Sequence, residues 1–374
     1  MRNHQYTAVL SQPPCRPSGC RNWQASSNRR ACFTILVALC SIAAIAYLTW
    51  LSLVASLINR FSPPPLQSNG VRRLLSTWKT PADSVPSTYW LEGFSIGIEP
   101  VSCHSHNDYW QPVPLFAALS AGCTSVEADV WLDNGSQNTT PRVLVGHDKK
   151  ALSADRTLSS LYITPLRAIL DYQNNVNGSN ETGWHGVFET APQTTLVLLL
   201  DFKIGGQTAW TAVSRELQPL RDANWLTYWD KDAARRIWRP VTVVATGDVE
   251  FDMIKKQEVK YIFYDAPLTD LSGGEYTVAE SLYASAEMKK AIGTIQWRMS
   301  SKQLHILQGQ IKEAKNKNLI SRYWGTPSWP ISVRNGVWED LVRSGVGVLN
   351  VDDLSTATRW DWRFCSILGL TICR

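Results

Sequence analysis

Residues 124–132, TSVEADVWL, place two acidic side chains on one face of an otherwise largely apolar segment. Side chains at positions i and i+2 of a β-strand point to the same face, so Glu127 and Asp129 point one way and the apolar residues beside them point the other. Two unpaired carboxylates on one face repel each other, and a divalent cation with oxygen ligands removes that repulsion. The stretch therefore predicts a strand that contributes to a metal site.

Strand-like apolar runs alternate with helical stretches from about residue 91 onward. This alternation is typical of parallel β/α units, and a (β/α)8 TIM-type barrel needs about 250 residues. The candidate strands are residues 98–104, 125–130, 143–147, 196–203, 241–245, 261–264, 321–324 and 346–351. We predict an α/β fold of this barrel type. A doubly wound open sheet is the alternative, but no G-x-G-x-x-G motif follows the first strand.

The chain before the barrel contains an uncharged segment long enough to cross a membrane. Residues 31–58 carry no charge, and a helix of that length extends about 42 Å, more than the hydrocarbon core of about 30 Å. We predict a single transmembrane helix that acts as an uncleaved signal anchor. The predicted segments are a basic tail at 1–30, the anchor at 31–58, a Pro/Ser-rich linker at 59–90, the barrel at 91–356 and a C-terminal tail at 357–374.

Charge and glycosylation sequons indicate where the barrel is located. Residues 1–82 hold nine of the 37 basic residues and no acidic one, which leaves 28 basic against 32 acidic residues and no basic footprint for nucleic acid. Basic residues on both sides of the anchor favour a cytosolic N-terminus only slightly. Sequons at Asn134, Asn138, Asn177 and Asn180 favour a glycosylated barrel in the secretory lumen or outside the cell. The acid-free N-terminus leaves a mitochondrial membrane as the alternative.

Two pairs of cysteines bear on the compartment of the barrel. If Cys103 closes one strand and Cys123 opens the next, the two lie roughly 10 Å or more apart, beyond the about 7 Å that a disulfide spans between Cα atoms. We therefore predict that both are free, buried thiols. Cys365 and Cys373 are close enough in the chain to form a disulfide in an oxidising compartment.

Ionisable residues stand at the ends of the first four candidate strands, where TIM-type barrels carry their functional groups. Asp201, at the end of the fourth strand, supplies a third carboxylate. We predict one divalent cation, Mg²⁺ or Ca²⁺, on Glu127, Asp129 and Asp201, since oxygen ligands favour these ions. Lys203 shares a strand face with Asp201, and we predict that it binds an anionic substrate.

Three histidines stand at these strand ends, His104 and His106 after the first and His147 after the third. A histidine pair beside a metal-held anion suits phosphodiester cleavage, because one imidazole takes the proton of the attacking hydroxyl and the other protonates the leaving oxygen. We predict that His104 and His147 form this pair. We expect His106 to support them, because the turn that begins at Asn107 rotates it away.

Several motifs resemble the PLC-like phosphodiesterase superfamily, which includes glycerophosphodiester phosphodiesterases, phosphatidylinositol-specific phospholipases C and spider-type sphingomyelinase D. AGCTSVEADVWLDNG (121–135) and RVLVGHD (142–148) resemble its acidic and histidine motifs, and LDFK (200–203) resembles a sphingomyelinase D motif. With HSHNDY (104–109) and RYWGTP (322–327), they also resemble fungal proteins of the altered inheritance of mitochondria protein 6 type. The resemblance implies a TIM-type barrel, a cation on the three carboxylates, a histidine acid/base pair and a phosphodiester or phospholipid-type substrate.

The chain departs from glycerophosphodiester phosphodiesterases at three places. No Arg-Gly follows the first histidine, no Glu-Asn-Thr precedes the second strand, and Asp201 stands where those enzymes carry Glu. These differences leave the head group of the substrate open.

Two other functions fit parts of the pattern. A His-x-His pair also opens the metal sites of amidohydrolases and related phosphoesterases, but those sites need histidines on later strands, and only His185 and His305 follow His147. A non-catalytic, membrane-anchored binding barrel is the other alternative. Most of the 17 tryptophans suit core packing; Trp324, at the end of a candidate strand, is predicted to contact substrate.

Overall fold

The computed structural model of the chain describes residues 20–61, 68–77, 90–133, 141–176, 183–273 and 275–359. The chain divides into two compact units between Pro64 and Pro65. In the first unit the described residues form helix α1 (Cys20–Phe61). Its segment Arg29–Ile58 has a mean hydropathy of 2.4 and is not buried, which makes it a candidate membrane span. The apolar helix predicted at 31–58 is thus confirmed, and its insertion in a membrane stays a prediction.

The second unit is built on a parallel barrel. The described strands are β1 (Val101–Ser105), β2 (Cys123–Asp133), β3 (Arg142–Val145), β4 (Leu196–Phe202), β5 (Tyr228–Asp230), β6 (Arg235–Ile237), β7 (Val241–Gly247), β8 (Ile262–Pro267), β9 (Ser281–Glu287), β10 (Ile320–Trp324) and β11 (Leu349–Val351). Eight of them pair in parallel in the order β10-β9-β8-β7-β4-β2-β1-β11. A parallel bridge between Arg322 and Val348 joins β10 to β11. The sheet is nearly closed, which confirms the predicted TIM-type barrel and excludes the open sheet.

Helices surround the barrel. They are α2 (Gly70–Thr77), α3 (Phe116–Ala121), α4 (Thr164–Val176), α5 (Gln207–Glu216), α6 (Gln218–Asp222), α7 (Phe251–Lys255), α8 (Met288–Ile292), α9 (Ser301–Asn316), α10 (Ile331–Arg343) and α11 (Leu354–Arg359). The start of α9 shows how local sequence fixes a boundary, because Ser300 and Gln303 form a reciprocal capping box.

The alternation within β2 separates two apolar regions. Its outward-facing Val126, Ala128 and Val130 belong to the large core between strands and helices. Inside the barrel, a smaller apolar cluster fills the end nearest the strand starts; its buried members are Val197, Leu199, Val244, Phe263, Leu282, Tyr283 and Val348. Trp229 of the β5–β6 hairpin packs against this cluster. Because this end is filled with apolar side chains, polar chemistry is confined to the carboxyl end of the barrel.

One of the eight predicted strands is not a barrel strand, and one barrel strand was missed, so the predicted number of strands is still correct. The third predicted strand, β3, is not part of the barrel: it pairs with β2 in antiparallel fashion, Val145 opposite Val130. The strand that takes its place is β9, whose sequence SLYASAE is too small and polar to stand out as an apolar run. Packing against β8 and β10 on both sides makes it a strand.

Part of the predicted linker belongs to the folded unit. Helix α2 lies within residues 59–90, and its Val71 and Leu74 are fully buried. The chain before it is tied to the segment ahead of β1, since Asn69 Nδ2 donates to the Ile96 carbonyl at 2.9 Å. The folded unit thus includes α2, ahead of the predicted start at residue 91.

The prediction that Cys103 and Cys123 are free thiols was wrong, because they form a disulfide with a Cα–Cα distance of 4.8 Å. The first strand begins at Val101 rather than at residue 98, and Val101 pairs with Cys123 in the parallel register. Cys103, the middle residue of β1, therefore lies beside the start of β2 and not at the far end of a longer strand. The predicted Cys365–Cys373 pair lies outside the described residues.

Candidate active site

The three predicted metal ligands come together at the carboxyl ends of β2 and β4. Asp129 stands directly opposite Asp201 in the register of these strands, and Glu127 is one inward-facing position deeper. Single oxygen atoms of the three carboxylates lie within 4.8 Å of one another. Oδ1 of Asp129 is buried and has no hydrogen-bond partner among the described residues. A buried, unsatisfied carboxylate oxygen within a carboxylate cluster fits a hard divalent cation such as Mg²⁺ or Ca²⁺.

Lys203 balances part of this negative charge. Its Nζ lies 2.5 Å from Asp201 Oδ2 and 3.0 Å from Asp129 Oδ2. Burial and the neighbouring Glu127 nevertheless raise the pKa of Asp129 to about 6, because one ammonium does not offset three carboxylates. The cluster therefore has room, in charge as well as in ligand atoms, for one more cation.

Two buried side chains contact one oxygen of Glu127. His104 Nε2 lies 2.7 Å from Glu127 Oε2, and Arg322 Nη1 donates to the same oxygen at 3.0 Å. Burial alone would raise the pKa of Glu127, but the hydrogen bond from His104 and the charge of Arg322 hold that pKa well below its usual range. Glu127 is thus an ionised carboxylate held in place through Oε2.

His104 is a buried structural partner in this arrangement. Its ring is fully buried, and Nδ1 lies 2.6 Å from Ser125 Oγ while Nε2 faces Glu127. Burial and the charge of Arg322 lower the pKa of His104 to about 4. With both ring nitrogens occupied and no exposed surface, His104 has no free position for a substrate.

Arg322 is the main site residue that the sequence did not identify. It is buried on β10, and its guanidinium organises the polar layer above the apolar cluster. Its partners are Glu127, His104, Asn350, Ser285 and Asp265. An arginine within the predicted strand 321–324 was the available signal, since a charge in a buried strand requires a partner.

His106 follows β1 at the rim and is partly exposed. Its backbone N–H donates to the Val351 carbonyl, and its Nδ1 lies 2.8 Å from Asp352 Oδ1. Burial opposes the charged form, but the hydrogen bond to Asp352 raises the pKa of His106 above its usual value. Asp352, directly after β11, was not predicted.

His147 reaches the same rim through the β2–β3 hairpin. Gly146 N–H donates to the Asp129 carbonyl, which brings His147 Nδ1 to 3.6 Å from Asp129 Oδ2. Tyr109 OH lies 3.2 Å from the same nitrogen, and the ring of Trp110 packs against the imidazole with centroids 4.8 Å apart. The sequence correctly placed His147 near Asp129, although its strand is not a barrel strand.

The turn after His106 is fixed by its own polar residues. Asn107 adopts the left-handed conformation, which asparagine tolerates better than most residues. Buried Asp108 accepts hydrogen bonds from Leu115 N–H, Ser105 Oγ and Tyr162 OH. Asp108 therefore pins the loop and does not face the carboxylate cluster.

The remaining residues considered in the sequence analysis are Trp324, two later histidines and the four sequons. Trp324 lies at the end of β10, opposite Glu287 in the register, and is exposed. His305 lies on α9, and His185 precedes β4. Among the described residues, the cluster of metal-ligating groups at the barrel end is all carboxylate, which disfavours an imidazole-rich amidohydrolase site. The four sequons fall outside the described residues.

Comparison with known proteins identifies the family to which the chain belongs. The family described as AIM6-like phosphodiesterase domain matches residues 92–265, from the segment before β1 into β8. An altered inheritance of mitochondria protein 6 homolog of Arthroderma benhamiae is 41% identical over 275 residues, which cover 70% of this chain and 84% of that protein. The chain belongs to the AIM6-like phosphodiesterase family.

Further relatives of the AIM6-like family span the same region. Altered inheritance of mitochondria protein 6 of Eremothecium gossypii is 38% identical over 275 residues, covering 69% of this chain and 68% of that protein. The protein of the same name from Saccharomyces cerevisiae (strain YJM789) is 32% identical over 311 residues, covering 77% and 76%. No solved structure matches the chain at a significant level. The matched family segment contains all three carboxylates and Lys203, whereas Arg322 and Asp352 lie beyond it.

Proposed function

We propose that this chain is a phosphoric diester hydrolase that holds one Mg²⁺ or Ca²⁺ on Glu127, Asp129 and Asp201. The observation that carries the proposal is the convergence of these carboxylates, including the unsatisfied Asp129 oxygen, with two accessible histidines at one barrel rim. When bound, such a cation neutralises charge on phosphoryl oxygens. Lys203 adds a second positive group for an anionic substrate.

The acid/base pair that the geometry favours is His106 and His147, a change from the sequence-based choice of His104. The ring of His104 is fully buried with both nitrogens engaged, whereas the side chains of His106 and His147 are 24% and 50% exposed. A general acid or base must come within hydrogen-bond reach of the reacting group. His106 and His147 meet that requirement at the rim.

Hydrogen bonds support His106 as the general acid and His147 as the general base. The Asp352 carboxylate favours protonated His106, which suits the acid that protonates the leaving oxygen. Tyr109 donates its single hydroxyl hydrogen to Asn107 Oδ1 at 2.7 Å, so its oxygen accepts from His147 Nδ1. The His147 proton then sits on Nδ1, and Nε2 keeps a lone pair for the attacking hydroxyl.

We further propose a single-pass membrane protein with its barrel in an oxidising compartment. The support is the candidate span Arg29–Ile58 and the Cys103–Cys123 disulfide, since disulfides persist in secretory and extracellular compartments. The secretory lumen or the cell exterior suits this chemistry. A mitochondrial membrane is the alternative, because the names of the relatives refer to inheritance of mitochondria.

The test uses the full chain in detergent with a panel of phosphodiesters that includes glycerophosphodiesters and phospholipids. We expect turnover that a chelator abolishes and Mg²⁺ or Ca²⁺ restores, and loss of bound cation in Glu127→Gln. His147→Ala is expected to lose activity while keeping the cation, and His305→Ala, an exposed position on α9, is the matched control. Cation binding with no turnover across the panel would favour the non-catalytic binding barrel. Active protein indifferent to chelator would refute the metal site.

A further inference from the structure

The most exposed apolar side chains of the barrel unit stand at the same end as the candidate active site. Among its described residues, four large apolar side chains are at least half exposed: Trp329 (75%), Trp297 (74%), Trp110 (61%) and Ile331 (50%). Isolated exposed apolar residues are ordinary on protein surfaces. Three tryptophans of this exposure at one end of a barrel are not a random scatter.

The topology places these residues on one arc of the rim. Trp110 follows β1, Trp297 follows β9 through α8, and Trp329 and Ile331 follow β10. Strands β9 and β10 are neighbours, and β11 alone separates β10 from β1. All these loops leave the carboxyl ends of parallel strands, so they project from the same end of the barrel. We call this set of four residues the tryptophan arc.

Exposed basic residues accompany the tryptophan arc. Lys289, Lys290 and Arg298 flank Trp297 in the chain and are exposed; one of them, Lys290, lies 2.7 Å from Glu287. Near Trp110, the loop that begins at His147 continues with exposed Lys149 and Lys150. The acidic residues of the two segments, 147–156 and 287–298, are Asp148, Asp155 and Glu287. Exposed basic residues therefore outnumber acidic ones in these two segments, five to three.

Tryptophan beside lysine and arginine is the composition of a surface that meets a phospholipid headgroup layer. Indole rings are enriched at membrane–water interfaces, where an apolar body and a polar N–H are both satisfied. Lysine and arginine near such a surface attract anionic lipid. Protein interfaces also use tryptophan and arginine, but they are depleted of lysine. The four lysines beside the arc thus favour lipid over protein as the partner.

We propose that the tryptophan arc docks the catalytic rim on a bilayer surface that contains anionic phospholipid. Trp297 and Trp329 enter the headgroup region, and the lysines contact lipid phosphates. If the chain is the proposed hydrolase, its substrate is then a phospholipid presented in the bilayer and not a soluble diester; this consequence rests on the proposed function.

The test measures docking without reference to activity. The full chain, labelled with 5-fluorotryptophan, is incorporated in nanodiscs with about one third anionic lipid, a content that gives a strongly negative surface. Tryptophan resonances are assigned by single Trp→Phe substitutions. Relaxation by nitroxide-labelled lipid is then compared with relaxation by a water-soluble paramagnetic chelate. Trp238, also exposed but next to the hairpin at the other end of the barrel, is the matched control.

We expect lipid-borne nitroxide to broaden the Trp297 and Trp329 signals and to leave Trp238 sharp, with weaker broadening in zwitterionic nanodiscs. Trp297→Ser/Trp329→Ser is expected to weaken vesicle activity by about tenfold or more, from the loss of buried apolar surface, while hydrolysis of a monomeric short-chain substrate is kept. Arc signals that respond only to the aqueous chelate, as they would if the arc bound a protein, overturn the proposal. Docking without any hydrolysis overturns the hydrolase function alone.

Discussion

Removal of the Cys103–Cys123 disulfide is expected to destabilise the barrel by an amount that the chain topology sets. The bond joins residues separated by 20 positions, and loop-closure entropy for a loop of that length amounts to about 3 kcal/mol. Both cysteines are buried, so alanine substitutions add a further cost for lost packing. At a few degrees per kcal/mol for a domain of this size, the double variant Cys103→Ala/Cys123→Ala should melt roughly 5–10 °C lower.

The assay compares thermal unfolding of the full chain with and without a reductant, beside the double alanine variant. Cys32→Ala/Cys40→Ala is the matched control, because these free cysteines lie in α1, outside the barrel unit. Reductant should lower the melting temperature of the wild type and of this control, but not of the disulfide variant. If Cys103 and Cys123 are both alkylated in unreduced, denatured protein, or if reduction leaves the melting temperature unchanged, the reasoning fails.

Three further outcomes are expected. His106→Ala should lower turnover by about 10²- to 10⁴-fold, with the unfolding temperature and the cation content unchanged. His104→Ala should instead lower stability and cation affinity, because Glu127 and Ser125 lose a buried partner. The opposite pattern would restore His104 as the catalytic histidine. Tyr109→Phe should reduce the Nδ1–H tautomer of His147 in ¹⁵N spectra of histidine-labelled protein and lower kcat more than it changes KM; an unchanged tautomer contradicts the Tyr109 role. Burial raises the pKa of Asp108 from 3.8 to about 6, so its contribution to the free energy of unfolding is largest at acid pH and falls by about 3 kcal/mol as pH rises from 4 to 7. Asp108→Asn should flatten this fall. An identical pH profile of unfolding free energy in both proteins would refute the prediction.

The sequence predicted the barrel because seven of its eight parallel strands have strong apolar or branched patterns. It failed at β9, where Ser281, Ala284 and Ser285 are small, since neighbouring strands and not local preference make that segment extended. It also failed at the start of β1, where an error of three residues placed Cys103 near the end of the strand instead of in its middle. Strand boundaries depend on pairing partners that a single sequence does not reveal.

The candidate site shows a similar division. Glu127, Asp129, Asp201 and Lys203 were predictable because alternation along a strand fixes which side chains share a face. Two orienting residues were not predictable: Arg322, which contacts Glu127, and Asp352, which contacts His106. Both lie at strands far along the chain and meet the site only when the barrel closes. The choice between His104 and His106 likewise required knowing how buried each imidazole is, and the alternation of side chains along a strand does not reveal that.

His147 illustrates why a correct site residue can follow from an incorrect strand assignment. The sequence argument needed only that His147 stand at the carboxyl end of a strand next to Glu127 and Asp129. In the structure β2 continues beyond Asp129 to Asp133, and β3 returns antiparallel to it, so the end of β3 comes back to the level of Asp129. A parallel strand and a returning hairpin thus deliver the imidazole to the same rim. The hairpin also brings His147 beside Tyr109 and Trp110, which a separate barrel strand would not have placed against its ring.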